Sequence, residues 1–181
     1  MNAFLETENL ILLPLSEDDA DGAYPGWFND RETCAGNSHH TYPYSRAQAL
    51  EYIKSTRNDR SSLVLAIELK SNHTHAGNVS LQQIHPVHRS AELAIIIGSP
   101  AARGLGLGQE ACRAIIGHGF RALNLHRIQC GTLATNAGMI ATALKLGFVQ
   151  EGVRRQAVYK EGAYVDVIEF GLLADAFATA K

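Results

Sequence analysis

Short runs of apolar residues, each bounded by turn-forming residues, recur along this chain and predict β-strands. Segment 91–98 is apolar almost throughout, which is typical of a central strand that is buried on both faces. Segments 149–159 and 164–173 flank the turn Lys160-Glu161-Gly162-Ala163 and indicate an antiparallel hairpin. The other predicted strands are 9–15, 63–69, 76–84 and 126–133.

Apolar residues at helical spacing predict helices between these strands. One helix is expected over 46–57 and another over 108–123, and Asn136 is placed to cap a shorter third helix. Residues 22–44 mix aromatic side chains with helix breakers, so we expect short helices and loops there. The order of elements predicts an α/β or α+β fold in a single domain that covers residues 1–181.

The composition favours a soluble intracellular protein. The chain has 181 residues, of which 46% are hydrophobic, and its net charge of −2 argues against the basic surface of a nucleic-acid-binding protein. Cys34, Cys112 and Cys130 are an odd number without paired spacing, which favours a reduced compartment. The first residues do not resemble a signal peptide, and no apolar run approaches the ~20 residues of a membrane span. We therefore expect a cytoplasmic protein that binds neither nucleic acid nor membrane.

A glycine-rich loop is the strongest functional signal in the sequence. It runs from Arg103 to Gly108, between the strand over 91–98 and the helix over 108–123. The first N–H groups of a helix have no partner one turn back, and the helix dipole makes that end partly positive. Glycines let an anion approach the backbone closely. Strand, loop and helix together therefore predict a binding site for a phosphate-bearing cofactor.

Two common phosphate-binding motifs fit this loop poorly. The third glycine of the dinucleotide pattern would be at position 109, where the chain has Gln109. That pattern also needs an acid about 20 residues further on for the ribose, and none lies between Glu110 and Glu151. A P-loop would end in Gly-Lys-Ser/Thr, which is missing here.

Arg103, Gly106 and Gly108 form the pattern Arg-x-x-Gly-x-Gly, which is followed by Asn136 and by Lys145-Leu146-Gly147-Phe148. In this order and spacing, these landmarks resemble those of the GNAT superfamily of acyl-CoA-dependent N-acetyltransferases. The resemblance covers nearly the whole chain. It implies a mixed, mostly antiparallel central sheet with splayed central strands and helices on both faces. It also implies acetyl-CoA as the acetyl donor.

The same resemblance implies which residues contact acetyl-CoA. The pantetheine arm is expected between the strand over 91–98 and its neighbour, and the pyrophosphate is expected on the glycine loop. Asn136 has two roles that are compatible, as the cap of its helix and as a partner of the pantetheine arm. The predicted cofactor-binding residues are Ile95, Ile96, Ile97, Arg103, Gly104, Leu105, Gly106, Leu107, Gly108 and Asn136.

Glu92 is the predicted general base, because family members carry an acid early in this strand that deprotonates the amine. The alternative is that Glu92 only marks the start of the strand and faces solvent. Many family members have a tyrosine as general acid where this chain has Ala143. That departure leaves the general acid unassigned, with Tyr159 and Tyr164 as possible substitutes.

The acceptor is the least determined part of the sequence prediction. Segment 151–166 resembles the RimJ/RimL-type branch, which implies direct acetyl transfer to a protein N-terminus. An amino-sugar nucleotide, another small amine and a non-catalytic acyl-CoA-binding module remain alternatives. Trp27 and Tyr164 are the predicted substrate contacts, although Trp27 also suits a core position. The histidine spacings do not indicate a metal site, and homodimerisation, common in the family, has no apolar stripe here that indicates it.

Overall fold

The computed structural model describes residues 3–179, and its strands form one eight-stranded sheet in the order β1-β2-β3-β4-β5-β6-β8-β7. Within the described residues, all neighbouring strands are antiparallel except β5 and β6, which are parallel. The strands are β1 (Leu5–Glu6), β2 (Leu10–Pro14), β3 (Leu63–Leu69), β4 (His75–His85), β5 (Ser90–Ile97), β6 (Arg127–Leu133), β7 (Val149–Lys160) and β8 (Ala163–Leu173). The predicted mixed, mostly antiparallel sheet is confirmed.

The helices predicted over 46–57 and 108–123 and the helix capped by Asn136 are present, a short helix lies within 22–44 as expected, and one further helix lies at the carboxyl end. They are α1 (Tyr24–Trp27), α2 (Arg46–Thr56), α3 (Leu107–Arg121), α4 (Ala137–Lys145) and α5 (Ala174–Thr179). Two 3₁₀ turns cover Glu17–Asp21 and Pro100–Ala102. Helix α5 and strand β1 were not predicted, because both are too short to show a period. No helix of the described residues is long and apolar enough to cross a membrane.

Alternation along the strands divides the apolar residues between two cores. On β5, Ala91 and Leu93 lie in the larger core, which includes the buried face of α3. Ile96 packs against the smaller core, which α1, α2 and the first 3₁₀ turn cover. Glu92 alternates with Ala91 and Leu93, so it lies on the face of the smaller core.

Strands β5 and β6 separate soon after they begin, as the family resemblance implies. They pair only through Ser90 to Glu92 of β5. Beyond that point β5 stays paired with β4 up to Ile97, and β6 stays paired with β8 up to Leu133. Each strand thus keeps its outer neighbour and loses its inner one, and a gap opens in the middle of the sheet.

Residues 29–44, here called the strap, connect α1 to α2 across this gap. The two ends of the strap are held together by the Asn29 side chain, whose Nδ2 donates to the Tyr44 carbonyl at 2.6 Å. The Tyr44 N–H donates back to Asn29 Oδ1 at 2.8 Å. A segment of this length with its ends joined is an Ω-loop.

Candidate active site

A cleft of about 1140 Å³ occupies the gap between β5 and β6. Two sides of it can be distinguished by the elements that form them. The cofactor side consists of β5 from Leu93 onward, the loop 103–108 except the exposed Leu105, the first turn of α3 and one side of α4 up to Lys145. The acceptor side consists of the strap, α1, α2 and the face of β4 and β5 that carries Glu92.

The glycine loop presents main-chain N–H groups to the cleft. Gly104 and Gly106 adopt φ of 75° and 79°, a region that other residues enter only with strain, and the space around their missing Cβ atoms is open. The first intrahelical bond of α3 runs from the Glu110 N–H to the Gly106 carbonyl. The N–H groups of Leu107 and Gly108 precede that bond and have no carbonyl one turn back. The loop therefore has the form of an anion cradle.

Main-chain groups of β5 line the same side of the cleft. Ile95, Ile96 and Ile97 all lie on the cleft wall and are half-buried. Because β5 has no pairing with β6 beyond Glu92, the β6-facing edge of this segment offers hydrogen-bonding groups to a ligand. An extended chain that carries amide groups can pair with such an edge.

Arg103 lies in the glycine loop, but its guanidinium points toward the strap. It donates to Glu32 Oε1 at 2.9 Å and to Thr33 Oγ1 at 2.6 Å. Longer bonds of 3.4 Å reach the carbonyls of Ile97 and Gly98. The Arg103 side chain thus ties the end of β5 to the strap, and the loop's main chain is left to bind an anion.

Asn136 makes two contacts at the opposite wall. Its Oδ1 accepts from the Met139 N–H at 3.0 Å, which confirms the predicted helix cap. Its Nδ2 donates to the Gly36 carbonyl of the strap at 2.9 Å. An amide nitrogen carries two protons, so one remains available for a ligand in the cleft.

Glu92 lines the cleft on the acceptor side and is half-buried. Its Oε2 accepts from Gln83 Nε2 at 3.0 Å, and Gln83 lies in a bulge of β4 with φ of 51°. The acids among the described cleft residues are Glu92 and Glu32, and Glu32 is already paired with Arg103. Glu92 is therefore the cleft carboxylate that has a neutral partner and can receive a cation.

Polar side chains of β4 form a row beside Glu92. Asn78, Ser80 and Gln82 point to the face of the sheet that carries Glu92, and all three line the cleft. Gln82 Nε2 donates to Ser80 Oγ at 3.0 Å. This row provides amide and hydroxyl groups next to the carboxylate, which the sequence analysis did not identify, since alternate polar residues in a strand also suit a solvent-facing surface.

Four aromatic side chains close the acceptor side. They are Tyr24, Phe28, Tyr44 and Tyr52. Burial raises the pKa of the three phenols, so they stay protonated and can donate hydrogen bonds. Rings around a cleft that contains an unneutralised carboxylate suit an ammonium group with an apolar body.

Neither predicted substrate contact lines this cleft. Trp27 is only 6% exposed and packs on the Gly98 backbone, where a Cβ atom would lie 1.9 Å from the indole. Tyr164 is 66% exposed on the final hairpin, where its ring contacts Tyr159. Phe28, the next residue along the chain, lines the cleft instead of Trp27.

Positions 143, 159 and 164, where a general acid was sought from the sequence, do not place a proton donor in the cleft. Ala143 is fully buried in the larger core, so this position faces away from the cleft. Tyr159 and Tyr164, the possible substitutes, are both exposed and outside the cleft. Within residues 3–179, no group of three or more histidine, cysteine or acidic side chains is placed to hold a metal ion.

A half-buried histidine, His75, contacts the polar row of β4 through Asn78. His75 Nδ1 lies 3.0 Å from Asp19 Oδ1, and its Nε2 lies 2.8 Å from Asn78 Oδ1. Both ring nitrogens face oxygen acceptors, which is the arrangement of a protonated imidazole. Desolvation alone would lower the His75 pKa, but the hydrogen bonds to Asp19 and Asn78 outweigh it and raise that pKa.

The amino-acid sequence matches the family model for an acetyltransferase (GNAT) domain over residues 9–149. A spermidine N(1)-acetyltransferase of Escherichia coli K12 is 38% identical over 93 residues, which are 51% of this chain and 50% of that protein. The N-acetyltransferase YoaA of Bacillus subtilis, itself uncharacterised, is 25% identical over 96% of this chain and 98% of its own length.

A solved structure is similar over the whole fold. The crystal structure of spermidine N-acetyltransferase from Vibrio cholerae in complex with CoA and spermine superposes with a TM-score of 0.87 at 25% identity. The match covers 96% of this chain and 100% of that one.

Proposed function

The chain belongs to the GNAT acetyltransferase family and is an acetyl-CoA-dependent N-acetyltransferase, and we propose that it acetylates the primary amine of a small molecule. The observation that carries this proposal is the full-length likeness to a spermidine N-acetyltransferase. Glu92 supports it, since an unneutralised carboxylate among aromatic rings suits a small ammonium ion. We further propose that residues 1–181 act as one catalytic domain.

The residues of the cofactor side fit coenzyme A. The open space at Gly104 and Gly106 leaves room for a pyrophosphate against main-chain N–H groups, and Lys145 adds a positive charge on the same cleft. The unpaired edge of β5 and the second Nδ2 proton of Asn136 suit the amide groups of a pantetheine arm. Acetyl-CoA supplies an acetyl thioester when bound, and the chain's own residues orient it and prepare the amine.

Glu92 is proposed as the general base. An amine is protonated at neutral pH and becomes a nucleophile only after it loses a proton. Glu92 can first attract the ammonium ion and then take that proton, directly or through a water molecule. The phenol and amide groups beside it hold the rest of the acceptor in position.

Direct transfer to the amine, without an acetyl-enzyme, is supported by the state of the cysteines. Cys34, Cys112 and Cys130 are all buried. Burial raises the pKa of all three thiols, that of Cys130 to about 12. A thiol acts as a nucleophile in its deprotonated form, so these three side chains are poorly suited to carry an acetyl group.

A protein N-terminus is the second candidate acceptor. A ribosomal-protein-serine acetyltransferase of Escherichia coli K12 is 28% identical over 55% of this chain and 55% of its own length, and it supports the RimJ/RimL-type assignment. The small amine is favoured because the spermidine N-acetyltransferase structure matches almost the whole chain.

An acceptor panel tests the proposal. Thiol release from acetyl-CoA is followed with monoamines, diamines, spermidine, a nucleotide-linked amino sugar and peptides with free amino termini, at equal concentration. We expect the highest kcat/KM among the small amines. Turnover confined to the peptides would replace the small amine by a protein N-terminus, and thiol release with none of these acceptors would contradict the proposal.

A further inference from the structure

The strap is docked on both walls of the cleft, and its docking partners are residues of the cofactor motif. Glu32 and Thr33 accept hydrogen bonds from Arg103 of the glycine loop that follows β5. Gly36 binds Asn136 at the start of α4, on the wall that continues β6. The strap therefore spans the gap that the separation of β5 and β6 leaves open.

Other contacts make the strap a defined structure rather than a loose connection. Asp30 Oδ2 accepts from the N–H and the hydroxyl of Thr33 at 2.7 and 2.5 Å. The Cys34 side chain is fully buried and its Sγ donates to the Trp27 carbonyl at 3.2 Å. Lys160 Nζ donates to the His39 carbonyl at 2.8 Å from the final hairpin. Side-chain contacts thus hold the strap both near its start, at residues 30–34, and near its end, at His39.

The absence of a side chain at Gly36 is a steric requirement of this docking. A Cβ atom at position 36 would lie 2.6 Å from Asn136 Nδ2 and 2.8 Å from Asn136 Cγ. These distances are shorter than real Cβ contacts, and Asn136 cannot move freely because its Oδ1 caps α4. Any larger residue at position 36 would push the strap away from Asn136.

The strap carries part of the acceptor side. His39 lines the cleft and contacts the Phe28 ring with a centroid distance of 4.7 Å, and Phe28 contacts Tyr44 at the same distance. Displacement of the strap would therefore move the aromatic groups that surround the acceptor. The main-chain cradle for the cofactor lies in the loop 103–108 and does not depend on these rings.

We propose that Gly36 and Arg103 are positioning residues that lock the strap across the cleft, so that Arg103, a residue of the cofactor motif, sets the geometry of the acceptor side. The inference rests on the proposed acetylation of an amine. The locked strap affects the binding of the amine, whereas the family motif alone would assign Arg103 to the binding of acetyl-CoA.

Gly36→Ala tests this proposal, with Gly26→Ala as the matched control. Neither glycine has a positive φ, and a Cβ atom at Gly26 meets nothing within 4 Å. We expect Gly36→Ala to raise the KM for the amine about tenfold and Gly26→Ala to leave it unchanged, since small displacements of positioning groups have large kinetic effects. The Kd for coenzyme A, measured by calorimetry, should change less than about twofold in both variants.

Amide hydrogen exchange over residues 31–42 gives a readout that does not need an acceptor. Gly36→Ala should accelerate exchange there, and Glu32→Gln should do so to a smaller extent. The proposal is overturned if Gly36→Ala matches Gly26→Ala in exchange and in amine KM, or if the Kd for coenzyme A rises while the amine KM stays constant. Failure of the wild-type protein to acetylate any amine would refute the proposed function, and the exchange data would still decide whether the strap is docked.

Discussion

The cofactor side of the cleft is built mainly from main chain, with Asn136 and Lys145 as added side chains, whereas the acceptor side is built from side chains that come from distant parts of the sequence. The glycine loop and the β5 edge need an unobstructed backbone, and their elements are neighbours in the chain. The acceptor side forms only where the fold brings together Glu92, the polar row of β4 and the aromatic groups of α1 and the strap. The proposed acetyl-CoA site therefore depends mainly on backbone groups, whereas substitutions of side chains on the acceptor side can change which amine is bound.

The largest effect should follow from a change on the acceptor side that leaves the cofactor side intact. Glu92→Gln keeps the size of the side chain and removes the proposed base, so kcat should fall by about 10²- to 10⁴-fold. Steady-state rates at saturating acetyl-CoA measure this loss, and calorimetry should show an unchanged Kd for coenzyme A. A variant that keeps most of its turnover would remove Glu92 from the mechanism.

The reverse change is Gly106→Ala, which alters the cofactor side alone. A Cβ atom there meets no protein atom, but it would occupy the space that an anion needs. We expect the KM for acetyl-CoA to rise about tenfold, with strain from φ of 79° lowering the free energy of unfolding by about 1 kcal/mol.

Gly162→Ala is the matched control for that change. Gly162 has φ of 89° and open surroundings, but it lies in the final hairpin turn. It should lose similar stability and keep the acetyl-CoA KM of the wild type. If the KM for acetyl-CoA rose equally in both variants, backbone strain rather than obstruction of the cradle would explain the rise.

His75 beneath the polar row predicts a pH-dependent stability that is specific to the acceptor side. Its folded pKa is raised above the ordinary value of 6.5, so its stabilisation is complete below that value and is lost as the pH rises through the folded pKa. The Asp19 pKa is lowered, since the His75 hydrogen bond and charge, with bonds from Ser16, outweigh desolvation, so its stabilisation is lost as the pH falls through the lowered pKa.

His75→Gln should therefore lower the free energy of unfolding by about 2 kcal/mol at pH 6 and by less at pH 9, measured by urea denaturation. The control is His73→Gln, which removes an exposed histidine two residues away and should change little at either pH. A constant difference between the His75 variant and the wild type across this pH range would contradict the assignment.

The smallest effect is expected at the outer contact of the strap. Arg31 Nε lies 2.8 Å from Glu161 Oε1, and both side chains are largely exposed. Arg31→Gln should leave the thermal midpoint and the amine KM within error, because exposed ion pairs are weakened by solvent and salt. A clear rise in the amine KM would show that this ion pair also holds the strap in place, in addition to the contacts of Lys160, Arg103 and Asn136.

The cofactor side could be predicted because its signals are local. Strand β5, the glycine loop and α3 are consecutive in the chain, and the cap at Asn136 depends on a residue three positions away. The strap could not be predicted in this way. Its contacts with the rest of the fold include pairs from 70 to 130 positions apart, such as Thr33 with Arg103 and Arg31 with Glu161, and no periodicity marks such pairs.

Trp27 and Phe28 illustrate the same limit. Both are aromatic residues at the end of α1, and nothing in their order tells which of them enters the core. The close approach of the Gly98 backbone, with no Cβ atom in the way, places Trp27 in the core, and Phe28 then faces the cleft.

The sequence by itself predicted the individual strands and the glycine loop, since each depends on the intrinsic conformational preferences of a few adjacent residues. The mixed sheet and acetyl-CoA as the donor followed from the resemblance of the sequence motifs to those of the GNAT superfamily. Only the tertiary structure decided which side chains line the acceptor side of the cleft, because those side chains are brought together by long-range packing. Arg103 illustrates both kinds of information. Its place in the motif was evident from the sequence, while its contact with the strap depends on residues 32 and 33.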